Sequence, residues 1–115
     1  MTALRNLTRG TIVAAKVEEA RRTFARLKGL LGRDGLAEGH ALLIAPCTSI
    51  HTFFMRFAID VVFLDDDGRA LRLLRALKPW RMTRIYRRAS CVVELPSGTL
   101  SLSGTEEGDE LVLVR

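Results

Sequence analysis

The chain is poor in residues that staple, break or anchor a fold: among 115 residues there are two cysteines, three prolines, one tryptophan and one tyrosine. Cys47 and Cys91 stand far apart, and neither belongs to a CxxC or Cys/His spacing that would hold zinc. In a reducing compartment both are expected to behave as small buried hydrophobes, with a disulfide and a reactive thiol as the lesser alternatives. No apolar run approaches the roughly 18 residues needed to span a bilayer. Residues 1–10 carry their bases inside the segment and lack an uninterrupted apolar stretch, so no secretory signal is expected and the default address is the cytoplasm. P-loop, dinucleotide, EF-hand and HExxH patterns are all missing, so neither a cofactor nor a metal is expected. There is no internal repeat, linker or composition shift, and residues 1–115 are expected to form one domain.

Acids are missing from one stretch altogether. Between Arg69 and Arg88 lie eight bases, Arg69, Arg72, Arg75, Lys78, Arg81, Arg84, Arg87 and Arg88, and not one Asp or Glu. The chain has 18 Lys and Arg against 13 Asp and Glu, so the remainder holds 10 bases and 13 acids, and all of the +5 excess sits in these twenty residues. Such a field favours anionic partners, although a run of like charge is most often solvated surface.

What is present points to a strand-rich fold. Leu4 to Leu7 and Thr11 to Lys16 suit two short strands around Arg9-Gly10. Val17, Ala20, Phe24, Leu27 and Leu31 recur at steps of three and four and predict an amphipathic helix ended by Gly29 and Gly32. Ala41 to Ala45 and Ile59 to Asp65 are expected strands. Asp66-Asp67-Gly68 is a hairpin signal leading into a strand from Arg69 to about Leu77, because Asp and Gly tolerate positive φ. Lys78 to Arg88 looks like an exposed connection, Ser90 to Leu95 and Glu110 to Val114 like further strands, and Thr99 to Ser103 like a helical turn or a strand. Together they predict an α+β, mostly β, domain: a compact antiparallel β-sandwich or barrel-like sheet with one main amphipathic helix packed on it.

The most distinctive stretch is Thr52-Phe53-Phe54-Met55-Arg56-Phe57-Ala58-Ile59-Asp60-Val61-Val62-Phe63-Leu64-Asp65. With Lys28-Gly29-Leu30-Leu31-Gly32-Arg33 upstream, and Val93-Glu94-Leu95-Pro96-Ser97-Gly98 and Glu107-Gly108-Asp109 downstream, the chain resembles the DUF192 family, whose molecular function is unassigned. The resemblance runs from about Arg26 to Val114 and implies the same compact, strand-rich arrangement. Related chains commonly carry proline before the hydrophobic-Asp pair, where this chain has Ala58.

Within that stretch Asp60 draws the most suspicion. Strand alternation places it on the face of Val62 and Leu64, where an unpartnered carboxylate is costly, so it should have a partner, with Arg56 and His51 the nearest suppliers in sequence. Phe54, Met55 and Arg56 could wall a shallow pocket with a charged floor. The leading expectation is a non-catalytic binding or accessory domain that holds a small polar ligand or a partner-protein segment through His51, Phe54, Met55, Arg56 and Asp60. Two alternatives stand beside it. One is a small hydrolase with His51 as base and Asp60 orienting it. The other is a nucleic-acid adaptor, in which Lys78, Trp80, Arg81, Arg84, Arg87 and Arg88 interleave stacking and phosphate-binding groups.

Overall fold

Eight strands and one short helix are described for residues 2–20 and 35–115 in the computed structural model. The strands are β1 (Ala3–Asn6), β2 (Thr11–Ala14), β3 (Lys16–Ala20), β4 (His40–Ile44), β5 (Ile59–Leu64), β6 (Ala70–Leu77), β7 (Cys91–Pro96) and β8 (Leu111–Val114), and the helix α1 is Thr99–Leu102. They build two sheets, ordered β2-β1-β8 and β3-β4-β7-β5-β6, with every pair antiparallel except β3 with β4. The domain is therefore mostly β, as its strand patterns predict, and among the described residues its sheets do not close into a barrel.

Strand alternation splits the apolar residues between two faces of the larger sheet. Leu43, Val62, Leu64, Val93 and Leu95 face the smaller sheet and pack with Leu4, Val13, Leu100 and Leu111. Leu42, Ile44, Ile59, Val61, Phe63 and Val92 point to the opposite face, where Met55, Ala89, Phe57 and Tyr86 cover them. Because both faces are covered, the central strands read as continuous apolar runs rather than as alternating ones.

The predicted helix begins in the wrong state. Val17 to Ala20 belong to strand β3, paired in parallel with Ala41 to Ile44, and the rest of that expected helix, residues 21–34, lies outside the described residues. The step of three that made Val17 and Ala20 look like one helical face instead sends them to opposite faces of the sheet, Val17 into the inter-sheet core and Ala20 into the other cluster. Thr99 to Leu102 form the helical turn α1, with Ser103 at its C-cap, rather than a strand.

The Asp-Gly hairpin forms between β5 and β6, although of the pair only Gly68 takes the positive φ that both residues tolerate. Asp65 Oδ1 accepts the backbone N–H groups of Asp67 and Arg69, each at 2.9 Å, and Gly68 takes φ +82. Gly68 is also pressed against β8: Leu111 N–H donates to Gly68 O at 2.8 Å, and a Cβ at this position would run into the Leu111 carbonyl oxygen.

A second turn is held by a buried polar network. Asp109 Oδ2 accepts from Asn6 Nδ2 at 2.9 Å, Arg9 Nε at 3.0 Å and the Glu106 N–H at 2.9 Å, and Asn6 Nδ2 also reaches Thr105 Oγ1 at 3.1 Å. The Arg9 guanidinium, more than any other neighbour, holds the Asp109 carboxyl down at about 2. This network clamps the turn at residues 105–109 to β1 and shields the outer edge of β6, where Glu107 accepts from Leu73 N–H at 3.3 Å.

Candidate functional site

The two loops beside the covered face of the larger sheet, residues 46–58 and 78–89, are hydrogen-bonded to each other along their length. Thr52 N–H donates to Arg81 O at 2.8 Å, Trp80 N–H to Thr52 O at 3.0 Å, Thr83 N–H to Ile50 O at 2.9 Å and Tyr86 N–H to Thr48 O at 2.8 Å. His51 and Met82 form an isolated antiparallel bridge. The buried Thr52 hydroxyl locks the pairing, donating to Lys78 O at 2.6 Å and accepting from Arg81 N–H at 3.0 Å. The signature stretch and the basic connection, far apart in sequence, are thus one structural unit.

That unit has an inner and an outer side. Inward, Met55 is buried, Phe57 packs on the same cluster, and the Tyr86 ring sits 4.6 Å from that of Phe63. Outward, Phe54 is 67% exposed, Trp80 56%, Met82 70% and Ile85 68%. The rings run as a chain: Phe54 lies 4.7 Å from Trp80, Trp80 6.1 Å from Phe53, and Phe53 stacks 4.9 Å from His51. Phe54 and Trp80 both have left-handed backbone, at φ 67 and φ 65, a conformation that costs a bulky residue about 1–3 kcal/mol and is kept only where the surroundings impose it.

The bases divide into two groups. Arg72 and Arg75 pair with Glu107 and Glu106, and Arg69 donates to Gly108 O, so the first three bases of the basic run are spent on the turn at residues 105–109. Lys78, Arg81, Arg84, Arg87 and Arg88 are exposed, and no ion pair engages them among the described residues. Neither loop contains an acid.

Asp60 does not join this surface. It is 1% exposed, and its carboxylate accepts three backbone N–H groups: Ala76 at 2.9 Å on Oδ1, Gly98 at 3.1 Å and Leu100 at 2.9 Å on Oδ2. The expected partners, Arg56 and His51, are replaced by main chain, because Asp60 faces the inter-sheet side and meets the bulge of β6 and the start of α1. It holds Ala76 in its left-handed turn, φ 51, and ties α1 to the sheet. His51 is exposed on the loop unit, and its Nδ1 accepts the Phe53 N–H at 3.2 Å. No hydrogen bond joins His51 to Asp60 among the described residues. Met55, expected in a pocket wall, is an anchor beneath the loop, while Arg56 is exposed on the same loop.

Glu94 is the residue that sequence reasoning passed over. On β7 it is paired with Leu42 of β4 and Val61 of β5, shares a face with Val92, and is 4% exposed. Burial pushes its carboxyl up to about 7. The available signal was its place in an unbroken apolar strand, Cys91 to Pro96, which implies a central position in a sheet covered on both sides. Two concavities also went unforeseen. An open cleft of about 650 Å³ between the sheets includes Leu43, Leu64, Asp66, Cys91, Leu113 and Arg115, and a smaller one of about 260 Å³ is formed by Pro46, Cys47, Thr48 and Ser49. Both cysteines are half-buried rather than fully buried, with Cys47 Sγ donating to Ser49 O at 3.0 Å.

The DUF192 family profile, described as an uncharacterized ACR, matches residues 4–113. The chain belongs to the DUF192 family. This DUF192 domain is 33% identical over 110 residues to a UPF0127 protein of Thermococcus sibiricus, covering 92% of this chain and 71% of that one. It is likewise 33% identical over 111 residues to a UPF0127 protein of Pyrococcus furiosus, covering 92% and 93%. Among solved structures it resembles a protein of unknown function from Novosphingobium aromaticivorans, with TM-score 0.82, 19% identity and coverage of 96% of this chain and 82% of that one. A Sinorhizobium meliloti protein, named as a candidate transcription regulator, superposes with TM-score 0.77 at 24% identity, covering 96% and 90%. At these identities the structural likeness concerns the DUF192 fold alone. No specific function is attached to the family.

Proposed function

We propose that this DUF192 domain is a non-catalytic binding module whose contact surface is the outer side of the two interlocked loops, and that its partner is anionic. The observation that carries the reading is the exposure of Phe54 and Trp80, ring against ring and both in left-handed backbone, among bases with no acid on either loop. Apolar anchors of this size are normally buried, and a contiguous exposed set marks an interaction surface. His51, Phe54, Arg56, Lys78, Trp80, Arg81, Arg84, Arg87 and Arg88 would supply the contacts. Met55 and Asp60 would act from beneath, Met55 by seating the first loop and Asp60 by fixing the strand that feeds the second.

Catalysis by His51 and Asp60 finds no support in the hydrogen bonding, since each is committed to a different set of backbone groups. We place the module's work in the cytoplasm, since two half-buried cysteines far apart in sequence and outside any zinc-binding spacing suit a reducing compartment. No helix among the described residues is long and apolar enough to cross a membrane.

Trp80 is the chain's single tryptophan, so its fluorescence reports directly from the proposed surface. Titration with a highly sulfated polysaccharide, an acidic peptide, single-stranded DNA and anionic vesicles should change its emission in at least one case. That response should weaken with added salt, and sedimentation or polarisation of a Trp80→Ala variant with an unchanged melting temperature should show binding lost. If no anionic probe binds, or if Trp80→Ala binds as the parent does, the surface is not the one used.

A further inference from the structure

Resting on that reading of the loop surface, we infer that the partner is the surface of an anionic lipid bilayer, into which Phe54, Trp80, Met82 and Ile85 insert while the surrounding bases stay at the level of the lipid phosphates. The order of residues in the second loop argues for this. From Lys78 to Arg88 the exposed side chains alternate between charge and apolar bulk: Lys78, Trp80, Arg81, Met82, Arg84, Ile85, Arg87 and Arg88. Docking those apolar groups into a protein pocket would strip water from bases on every side of them, and charged residues are depleted from the cores of protein interfaces for that reason. At a bilayer interface the two needs are compatible, because apolar tips sink below the headgroups while long basic side chains reach up to the phosphates. Tryptophan is also among the residues most enriched at that depth.

Stacking on single-stranded bases fits less well. Met82 and Ile85 have no ring to stack with, and Phe54 meets Trp80 at 59° rather than parallel, so the exposed apolar groups do not form a platform of parallel faces. Charge complementarity is one-sided, since neither loop bears an acid and the five bases from Lys78 onward have no ion pair among the described residues. The platform is also preorganised. The hydrogen bonds from Thr52, Trp80, Thr83 and Tyr86 hold both loops in place before any partner arrives, so little ordering entropy is lost on docking.

The test uses the whole chain with vesicles of neutral phosphatidylcholine alone and with about one third anionic phosphatidylglycerol or phosphatidylserine, read by co-sedimentation and by Trp80 emission. The expected result is sedimentation with the anionic vesicles only, accompanied by a blue shift of Trp80 and its quenching by lipids brominated on the acyl chain. Each arginine near the surface contributes about a five-fold change in partition, so replacing Arg84, Arg87 and Arg88 together by alanine should weaken binding about 100-fold. Trp80→Ala combined with Ile85→Ala should weaken it with the charge unchanged.

Sedimentation without a blue shift or quenching overturns insertion. Failure to bind anionic vesicles, while an acidic peptide, single-stranded DNA or a sulfated polysaccharide still binds through Trp80 and the same arginines, overturns the lipid assignment and leaves the anion-binding surface standing. Failure with every anionic probe removes both.

Discussion

Replacing Glu94 by glutamine should stabilise this domain at pH 8 and flatten its dependence on pH. Glu94 is 4% exposed on the central strand β7, flanked by Leu42 and Val61, and burial raises its carboxyl from 4.5 to about 7. The unfolded chain gives up this proton near 4.5, whereas the folded chain keeps it until about 7. Between those values the unfolded state binds fewer protons, so stability falls as pH rises. The contribution is fully present below 4.5 and has been lost once pH has passed about 7. At 1.36 kcal/mol per unit the whole shift corresponds to about 3 kcal/mol, of which about 2.5 kcal/mol falls between pH 5 and pH 8. For a domain of this size that is about 10 °C in melting temperature.

Glutamine occupies nearly the same volume, remains neutral at every pH, and resembles the protonated form in polarity. Urea unfolding at pH 5, 6, 7 and 8 should show the parent losing about 2.5 kcal/mol across the series while Glu94→Gln stays level. Asp109, held down at about 2, changes charge below this window, and its stabilisation disappears only as pH falls from about 4 toward 2. The reasoning is refuted if the two proteins trace parallel curves, or if Glu94→Gln is the less stable of the two at pH 8.

Two further substitutions test how the fold holds the loops. Gly68→Ala combines a disfavoured φ of +82 with a collision between its new Cβ and the Leu111 carbonyl oxygen, and should cost about 2–4 kcal/mol in urea unfolding. A cost below 1 kcal/mol would mean that β8 yields easily there. Asp60→Asn replaces an anionic acceptor of three backbone N–H groups with a group that turns an amide donor toward them, and should cost about 2–4 kcal/mol. Because it acts on the bulge of β6 and on α1, its melting temperature should fall whether or not a ligand is present; unchanged stability would return Asp60 to the list of contact residues.

Much of the fold was legible because it rests on local rules. Apolar runs rich in β-branched residues mark Ile59–Leu64 and Cys91–Pro96, and Asp66-Asp67-Gly68 announces its own turn, since a hairpin needs only adjacent residues to agree. The reading failed at Val17–Ala20, where a spacing of three is compatible both with one side of a helix and with two faces of a sheet covered on both sides. Only the presence of β4 alongside decides between them. The site was legible in pieces: Phe54, Arg56, Trp80 and the arginines were each visible as exposed or charged candidates, while Asp60 was noticed for a burial that turns out to serve the backbone.

Composition and order alone established that the fold is strand-rich, that the positive excess is confined to residues 69–88, and that Asp60 needed a partner. Which bases remain available, which partner Asp60 takes, and whether Phe54 and Trp80 meet depended on contacts between residues tens of positions apart. Arg72 and Arg75 look the same in sequence as Arg84 and Arg87, yet the first two face Glu107 and Glu106 and the other two face solvent. Charge and hydrophobicity belong to single residues and can be read singly, whereas pairing and burial belong to surfaces that exist only after the strands have assembled.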